Sequence, residues 1–398
     1  MAGDAPFDHD PAWPVVRLAD VTTKIGSGAT PRGGSESYLP SRETWAFVRS
    51  QNVFSRRFDS DALAFINEEQ ARGLRGVSLE PGDVLLNITG DGVTFGRAAM
   101  VDPSALPACV NQHVAIVRAD TNRAIPGYLL AFLTHPDVKP YIASFNSGGS
   151  RRAITKGHIE SFQVPLPPLA EQRAIASTLA AFDEKIESNR RLVDLIPQLI
   201  RSKVDAVLVG GDQVSVSSLA LFINGGAYTK GASGTGRMVL RIAELNSGPG
   251  GSTVYNDIDV PDDKTARAGD ILMSWSGSLG VYRWFRDEAI INQHIFKVIP
   301  TGYPAWIVFD RLDAVMPVFR GVARDKATTM GHIQRGHLES TSVMVPSASS
   351  IARLAHALDP LWERLLLAER ENMVLAVTRD ALLPELLSGR MRVQGPVA

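Results

Sequence analysis

Apolar and polar residues alternate along this chain with two different periods, and each period occurs twice. Short apolar stretches such as 45–48 and 114–117, separated by turn residues, predict β-strands. After 164–168, and again after 345–346, apolar residues recur at alternating intervals of four and three, which is typical of a coiled-coil helix. The first seam consists of Ile175, Leu179, Phe182, Ile186, Asn189, Val193, Ile196 and Ile200, and the second of Ile351, Leu354, Leu358, Leu361, Leu365, Ala368, Asn372 and Leu375.

Three short motifs also occur twice, in the same order. The paired segments are 82–86 with 269–273, 111–114 with 292–295, and 156–161 with 335–340. The two copies lie 187, 181 and 179 residues apart. Because three matches in one order are hard to obtain by chance, we infer that the chain is a tandem duplication.

The two seams predict helices that pair with each other. A β-rich part precedes each helix, so antiparallel pairing would put the two parts at opposite ends of a rod of roughly 40–50 Å. We expect Asn189 and Asn372 to lie close together and to fix the register, and Pro197 and Pro384 to kink or end the helices. The alternative, two surface helices on separate domains, stays open.

The predicted fold class is therefore α+β, with two duplicated β-rich domains separated by a long antiparallel two-helix coiled coil. The expected boundaries are a first domain at 1–168, a central helix at 169–209, a second domain at 210–346 and a C-terminal helix at 347–398.

Composition narrows the class of protein. The 41 basic and 42 acidic residues give a net charge of −1, which is weak evidence against a lone nucleic-acid binder, because affinity for phosphates is mainly cationic. Basic residues nevertheless cluster between 17 and 57 and at 151–156, and local patches can bind DNA. The single cysteine, Cys109, excludes an intrachain disulfide. We expect a cytoplasmic chain, because neither a signal peptide nor a membrane-spanning run is apparent.

Four segments resemble the specificity subunits of type I restriction–modification systems: PLPPLAEQR at 165–173, RDALLPELLSG at 379–389, WPVVRL at 13–18 and GGAYTK at 225–230. The resemblance covers essentially the whole chain. The second helix departs from the pattern, because 345–349 reads VPSAS. It is open whether this departure alters one partner contact.

The resemblance implies that each domain is a target-recognition domain for one half of a split site in double-stranded DNA. The paired helices would set the spacing and dock two methyltransferase (modification) subunits, and a motor–nuclease (restriction) subunit would complete the assembly. S-adenosylmethionine, ATP and magnesium would belong to these partners, with no cofactor in this chain. A membrane partner is not expected.

Catalytic motifs are missing from the sequence. There is no Asn/Asp-Pro-Pro-aromatic motif, no methyl-donor glycine turn and no Walker motif, so we predict that the chain is not an enzyme. The segment 261–264 reads PDDK, which resembles part of a nuclease motif but lacks the separated second carboxylate of such a motif. The spacing of the histidines predicts no metal site. The main alternative is a DNA-targeting adaptor of another phage-defence system with the same architecture. A single-chain restriction enzyme and a coiled-coil scaffold fit less well.

Base contacts are expected in basic or polar loops where the copies differ, because the two half-sites differ. The repeated Asn-Gln-His motifs at 111–113 and 292–294 are better explained as structural, although contact with DNA stays open. The candidate DNA-binding residues are Arg49, Gln51, Asn52, Arg56, Arg57, Arg151, Arg152 and Lys156 in the first domain, and Lys230, Arg237, Arg241, Ser274, Ser276, Arg324 and Lys326 in the second.

Overall fold

The computed structural model describes residues 5–146, 152–325 and 331–393. The candidates Arg151 and Lys326 lie outside these ranges. The chain forms two compact units, one of residues 1–186 with 375–398 and the other of residues 187–374. Each unit holds one β-rich domain and parts of both long helices.

The first domain is built mainly of short strands. Its central sheet is antiparallel in the order β2-β11-β7-β9, and a second sheet has the order β10-β3-β6 with β10 parallel to β3. Its elements are β1 (Val15–Arg17), β2 (Thr22–Ser27), β3 (Trp45–Val48), β4 (Val53–Phe54), β5 (Arg57–Phe58), β6 (Ala64–Ile66), α1 (Glu68–Gly73), β7 (Val84–Asn87), β8 (Thr89–Gly90), β9 (Ala98–Met100), β10 (Ala108–Val110), β11 (Val114–Ala119), α2 (Pro126–Thr134), α3 (Val138–Ser144), β12 (Arg152–Ala153), α4 (Lys156–Glu160) and β13 (Gln163–Pro165).

The second domain repeats this plan. Its central sheet is antiparallel in the order β15-β22-β19-β20, and the other sheet has the order β17-β16-β21-β18 with β16 parallel to β21. Its elements are β14 (Asp212–Ser215), β15 (Ala220–Asn224), β16 (Arg237–Leu240), α6 (Ile242–Ser247), β17 (Val254–Asn256), β18 (Thr265–Ala266), β19 (Ile271–Ser274), β20 (Gly280–Arg283), β21 (Ala289–Ile291), β22 (Ile295–Pro300), α7 (Ala305–Asp325), α8 (Arg335–Ser340) and β23 (Ser342–Val345). Two helices, α5 (Leu169–Asp205) and α9 (Ala348–Leu387), complete the chain.

The two domains match in register as well as in strand order. In the first, Leu85 of β7 faces Ile116 of β11, and in the second, Leu272 of β19 faces Lys297 of β22. Each of these strands is buried, as expected for strands covered on both faces. The predicted duplication into two β-rich domains is confirmed.

Helices α5 and α9 pair in an antiparallel manner within each unit. In the first unit, Ile175 and Leu179 of α5 share a buried core with Leu383 and Leu386 of α9. In the second unit, Ile196, Ile200 and Val204 are buried with Leu358 and Leu365. The heptad seams therefore form the predicted antiparallel pair. Helix α5 continues through Pro197 to Asp205, so this proline does not end it.

The PLPPLAEQR segment has a structural role in the first unit. Its Gln172 is buried, accepts a 2.9 Å hydrogen bond from the Ile125 N–H, and donates to the carbonyl oxygens of Arg123 and Pro167. This glutamine thus joins the start of α5 to the first domain. At the start of α9, Ser347 instead accepts a hydrogen bond from the Ser350 N–H at 3.3 Å, an N-terminal cap.

No helix in the described ranges is both long and apolar enough to cross a membrane.

Candidate nucleic-acid interface

The repeated Asn-Gln-His motif forms a turn before the central strand of the first domain. The Asn111 side-chain oxygen accepts a 3.0 Å hydrogen bond from the His113 N–H, which closes the turn. His113 Nδ1 lies 2.6 Å from the Thr89 hydroxyl, and its Nε2 lies 3.3 Å from Gln112 Nε2. Asn111 is buried, whereas Gln112 is exposed and also accepts a hydrogen bond from the Thr30 hydroxyl.

The second domain contains a related arrangement, in which the asparagine bonds to a different N–H group. Asn292 is buried and accepts a 2.8 Å hydrogen bond from the Gln293 N–H. His294 Nδ1 lies 3.1 Å from the Ser276 hydroxyl, and its Nε2 lies 3.2 Å from Gln293 Nε2. Ser276 follows Gly269 by seven residues, as Thr89 follows Gly82. The motif therefore combines a buried structural asparagine with an exposed glutamine.

A glycine packs against each of these turns. A Cβ atom on Gly28 would lie 2.1 Å from the Val110 carbonyl oxygen, and one on Gly225 would lie 2.2 Å from that of Ile291. Only glycine permits this close approach of two backbone segments. The sequence offered one signal for these positions, because each glycine opens a turn after the first strand of its central sheet.

The other repeated motifs are structural. Asp83 is buried and accepts hydrogen bonds from the Glu80 N–H and from Arg118, while Asp270 accepts one from the Arg267 N–H and pairs with Lys297 at 2.9 Å.

The histidines of the third motif close short helices. His158 Nδ1 accepts a hydrogen bond from the Thr155 N–H, and His337 Nδ1 accepts one from the Gln334 N–H at 2.9 Å. Both histidines thus belong to helix caps.

Two candidates in the first domain have buried side chains, and their contact with DNA stays a prediction. Asn52 is fully buried, with its side chain bonded to the Arg49 N–H and the Asp59 carbonyl. The Arg56 side chain is 4% exposed and donates from Nε and Nη2 to Asp183 at 3.0 and 2.8 Å. Both side chains thus have hydrogen-bond partners within the first unit.

Other first-domain candidates remain accessible. Gln51 is exposed, and Arg49 is half-buried, donating to the Ala62 carbonyl at 2.8 Å. Arg57 lies over the Phe54 ring and pairs with Asp59 at 3.6 Å.

Two further accessible candidates, Arg152 and Lys156, lie in the segment 152–156. Arg152 in β12 is half-buried beside Gly90 of β8, and Lys156 is exposed, pairing with Glu160 at 3.4 Å.

Two of the second-domain candidates are also buried, and their contact with DNA likewise stays a prediction. Ser274 bonds to the Ser278 carbonyl at 2.6 Å, and Ser276 bonds to His294 as described above. Arg241 donates to Glu244, and these hydrogen bonds raise the pKa of the Arg241 guanidinium above its ordinary value. Arg237 is half-buried and donates to the Ile258 carbonyl at 3.2 Å.

Lys230 and Arg324 are exposed. Arg324 lines a cleft of about 900 Å³ between a glycine-rich loop and α7. Arg320 donates across it to the Leu279 carbonyl at 3.1 Å, and Tyr282 donates to Asn246 at 2.7 Å. The cleft thus brings together guanidinium, amide and backbone groups of the kinds that bind DNA.

Asn189 lies in a polar layer of the helix pair. Its side chain is fully buried, donates to Glu371 at 2.8 Å and accepts a hydrogen bond from Arg364 at 3.1 Å. Glu371 directly precedes Asn372, whose Oδ1 is buried without a hydrogen-bond partner among the described residues. The observed polar layer is therefore built by Asn189, Glu371 and Arg364.

The segment 261–264 forms a polar turn. Asp262 pairs with Arg267 at 2.7 Å, and Lys264 donates to the Asn224 carbonyl. Within the described part of the chain, no group of three His, Cys, Asp or Glu side chains is arranged to hold a metal ion.

Comparison with known proteins places these features in a family. A family model described as the type I restriction modification DNA specificity domain matches residues 12–198. The putative type I restriction enzyme MjaX specificity subunit of Methanocaldococcus jannaschii is 28% identical over 211 residues, which are 52% of this chain and 44% of that protein. The type I restriction enzyme EcoKI specificity subunit of Escherichia coli is 24% identical over 260 residues, which are 59% of this chain and 54% of that protein. The chain thus spans about half the length of these two relatives.

Two further comparisons extend over both domains. The type I restriction enzyme MjaIX specificity subunit of M. jannaschii is 19% identical over 423 residues, covering 96% of this chain and 94% of that protein. The crystal structure of a type I restriction-modification system S subunit from M. genitalium shares the fold, with a TM-score of 0.62 and 13% identity over 96% of this chain and 99% of that one. Residues 12–198 thus match the family of type I restriction–modification DNA specificity domains, and over its whole length the chain is similar to a type I specificity subunit.

Proposed function

We propose that this chain is the non-catalytic recognition subunit of a type I restriction–modification complex, and that each β-rich domain binds one half of a split target in double-stranded DNA. The observation that carries the proposal is the presence of two domains with one strand order in one chain. A duplicated domain supplies two binding surfaces of the same build. Loops that differ between the copies, such as the one beside the Arg324 cleft, would read different bases.

The paired helices would set the distance between the half-sites. Helices of 37 and 40 residues, at about 1.5 Å per residue, are each roughly 55–60 Å long. One turn of duplex measures about 34–36 Å. This length exceeds one turn, so the helices would hold the two half-sites apart on the duplex.

Chemistry would reside in partner subunits. Two methyltransferase subunits would dock on the helices and supply the S-adenosylmethionine site, and a motor–nuclease subunit would use ATP and magnesium. The polar-turn geometry at 261–264 supports a chain without a nuclease centre of its own.

Co-expression with a methyltransferase subunit of the same system, followed by mapping of methylated adenines, tests the proposal. A split motif that depends on this chain is expected. Arg324→Ala should change the preference in one half of the motif only, with Gln213→Ala, an exposed change in β14, as the control. Methylation that does not depend on this chain would refute the proposal.

A further inference from the structure

The duplication provides an internal comparison of two surfaces. Two domains that bind different half-sites need different side chains where they touch bases. Any exposed side chain that both copies keep in one geometry therefore faces something common to both half-sites. Gln112 and Gln293 meet this condition, because both are exposed and both follow the buried asparagine of the repeated turn.

The fold by itself does not explain these glutamines. The buried asparagines and the glycines beside them build the turn. Gln112 also accepts a hydrogen bond from the Thr30 hydroxyl, whereas the contact with the following histidine is common to both copies. Each glutamine amide is nevertheless held beside a histidine ring, with Nε2–Nε2 distances of 3.3 and 3.2 Å. The ring is fixed in turn by a hydroxyl group on the neighbouring strand. An exposed amide with a fixed direction is suited to binding a ligand.

The surroundings favour a phosphate group as that ligand. Ile88 and Trp275, which precede the two hydroxyl residues, accept backbone hydrogen bonds from Ile154 and Ile333. Two residues after these lie Lys156 and Arg335, which are both exposed. Lys156 pairs with Glu160 at 3.4 Å and Arg335 donates to the Phe222 carbonyl at 3.0 Å, so the glutamine amides are the donors that the two turns share. Glutamine side chains are among the common donors to the DNA backbone.

We propose that Gln112 and Gln293 make equivalent contacts with the DNA sugar–phosphate backbone, one in each half-site. This inference rests on the proposed function, because it assumes that both domains bind DNA. The glutamines would position each domain on the duplex, while the divergent loops read the sequence. A contact with the backbone carries no base preference of its own.

The test measures DNA binding by the assembled complex with Gln112→Ala, Gln293→Ala and the double variant, on cognate and unrelated duplexes. Each single change should weaken binding roughly 3- to 10-fold on both duplexes, as loss of one hydrogen bond predicts, and the double change by about the product. The methylated motif should stay the same. Gln213→Ala serves as the control.

Gln112→Glu sharpens the test, because a carboxylate next to a phosphate adds repulsion. It should weaken binding more than Gln112→Ala does, and the excess should shrink as salt is raised.

Three results would overturn the inference while leaving the proposed function intact: unchanged affinity, a changed motif at one base position, or loss of methyltransferase association with normal DNA affinity. Failure of the unmodified complex to recognise a split site would instead refute the proposed function.

Discussion

Asp183 is the residue whose removal should most clearly disturb the first unit. It lies on α5 and binds Arg56 of the first domain and Arg379 of α9, the latter at 2.7 Å. The Arg56 and Arg379 side chains are 4% and 14% exposed. Asp183→Ala would leave two mostly buried guanidinium groups without their shared acceptor.

The expected cost follows from that burial. Removing one partner from a buried ion pair costs about 3–5 kcal/mol. Arg379 keeps Asp380 and Arg56 keeps the Thr134 hydroxyl, so we expect a value near the lower end, about 3 kcal/mol. Arg56 also has a positive φ of 59°, which is unfavourable for a side-chain-bearing residue. Loss of its partner should therefore loosen the backbone around it.

Hydrogen exchange of the full chain, followed by mass spectrometry, measures this loss locally. Peptides from 53–58, 169–186 and 375–387 should exchange about a hundredfold faster, the factor that about 3 kcal/mol implies. Glu184→Ala, an exposed change at the next position of α5, is the matched control. Equal protection in Asp183→Ala and Glu184→Ala would show that the ion pair does not hold the unit together.

A double-mutant cycle separates loss of the pair from loss of packing. Arg56→Ala combined with Asp183→Ala should cost less than the sum of the two single changes, because the double variant leaves one fewer unpaired charge. Strict additivity would contradict the proposed coupling.

Three further outcomes are expected. Gly28→Ala should lower the melting temperature of the first unit by several degrees, because the added Cβ would meet the Val110 carbonyl. Gly26→Ala is the control and should leave the melting temperature unchanged, because no atom lies within 4 Å of its added Cβ. Equal melting temperatures of the two variants would contradict the steric argument. Asn189→Ala should lower the free energy of unfolding, measured by chemical denaturation, by about 1–2 kcal/mol, because it removes two hydrogen bonds to charged groups. A loss no larger than that of Glu187→Ala would contradict a stabilising role of these hydrogen bonds. Burial lowers the pKa of His135 from 6.5 to about 4, so between these pH values the histidine binds a proton in the unfolded chain but not in the folded one. The free energy of unfolding should therefore fall by up to about 3 kcal/mol as the pH drops through this range. The same pH dependence of denaturation in His135→Gln would refute this prediction.

The features predictable from the sequence are those with a period or a repeat. The seams at 175–200 and 351–375 predict helices because apolar spacing reflects a single element and its buried face. The repeated segments predict two domains of one build, since duplicated sequence folds into duplicated structure. Neither prediction requires knowledge of which distant segments touch.

The candidate site was less predictable, because burial of a charged residue depends on a partner far along the chain. Arg56 and Arg57 form one basic pair in the sequence, yet the first is buried against Asp183, 127 residues away, and the second lies at the surface. Asn52 likewise resembles an exposed polar loop residue but closes its own turn by bonding to the Arg49 N–H and the Asp59 carbonyl. No local pattern distinguishes a cation that stabilises the fold from one that binds DNA.

The ion pairs also bear on how a chain with a net charge of −1 would recognise DNA, as proposed above. Several arginines that look available in the sequence are neutralised within their own unit, among them Arg56, Arg118, Arg241, Arg283 and Arg311. Affinity for DNA depends mainly on cations that release counterions from phosphates. A subunit that uses its arginines to stabilise its own fold keeps few for that purpose. Under the proposed function, strong binding to DNA would then draw on cations from partner subunits, while this chain would determine where they bind.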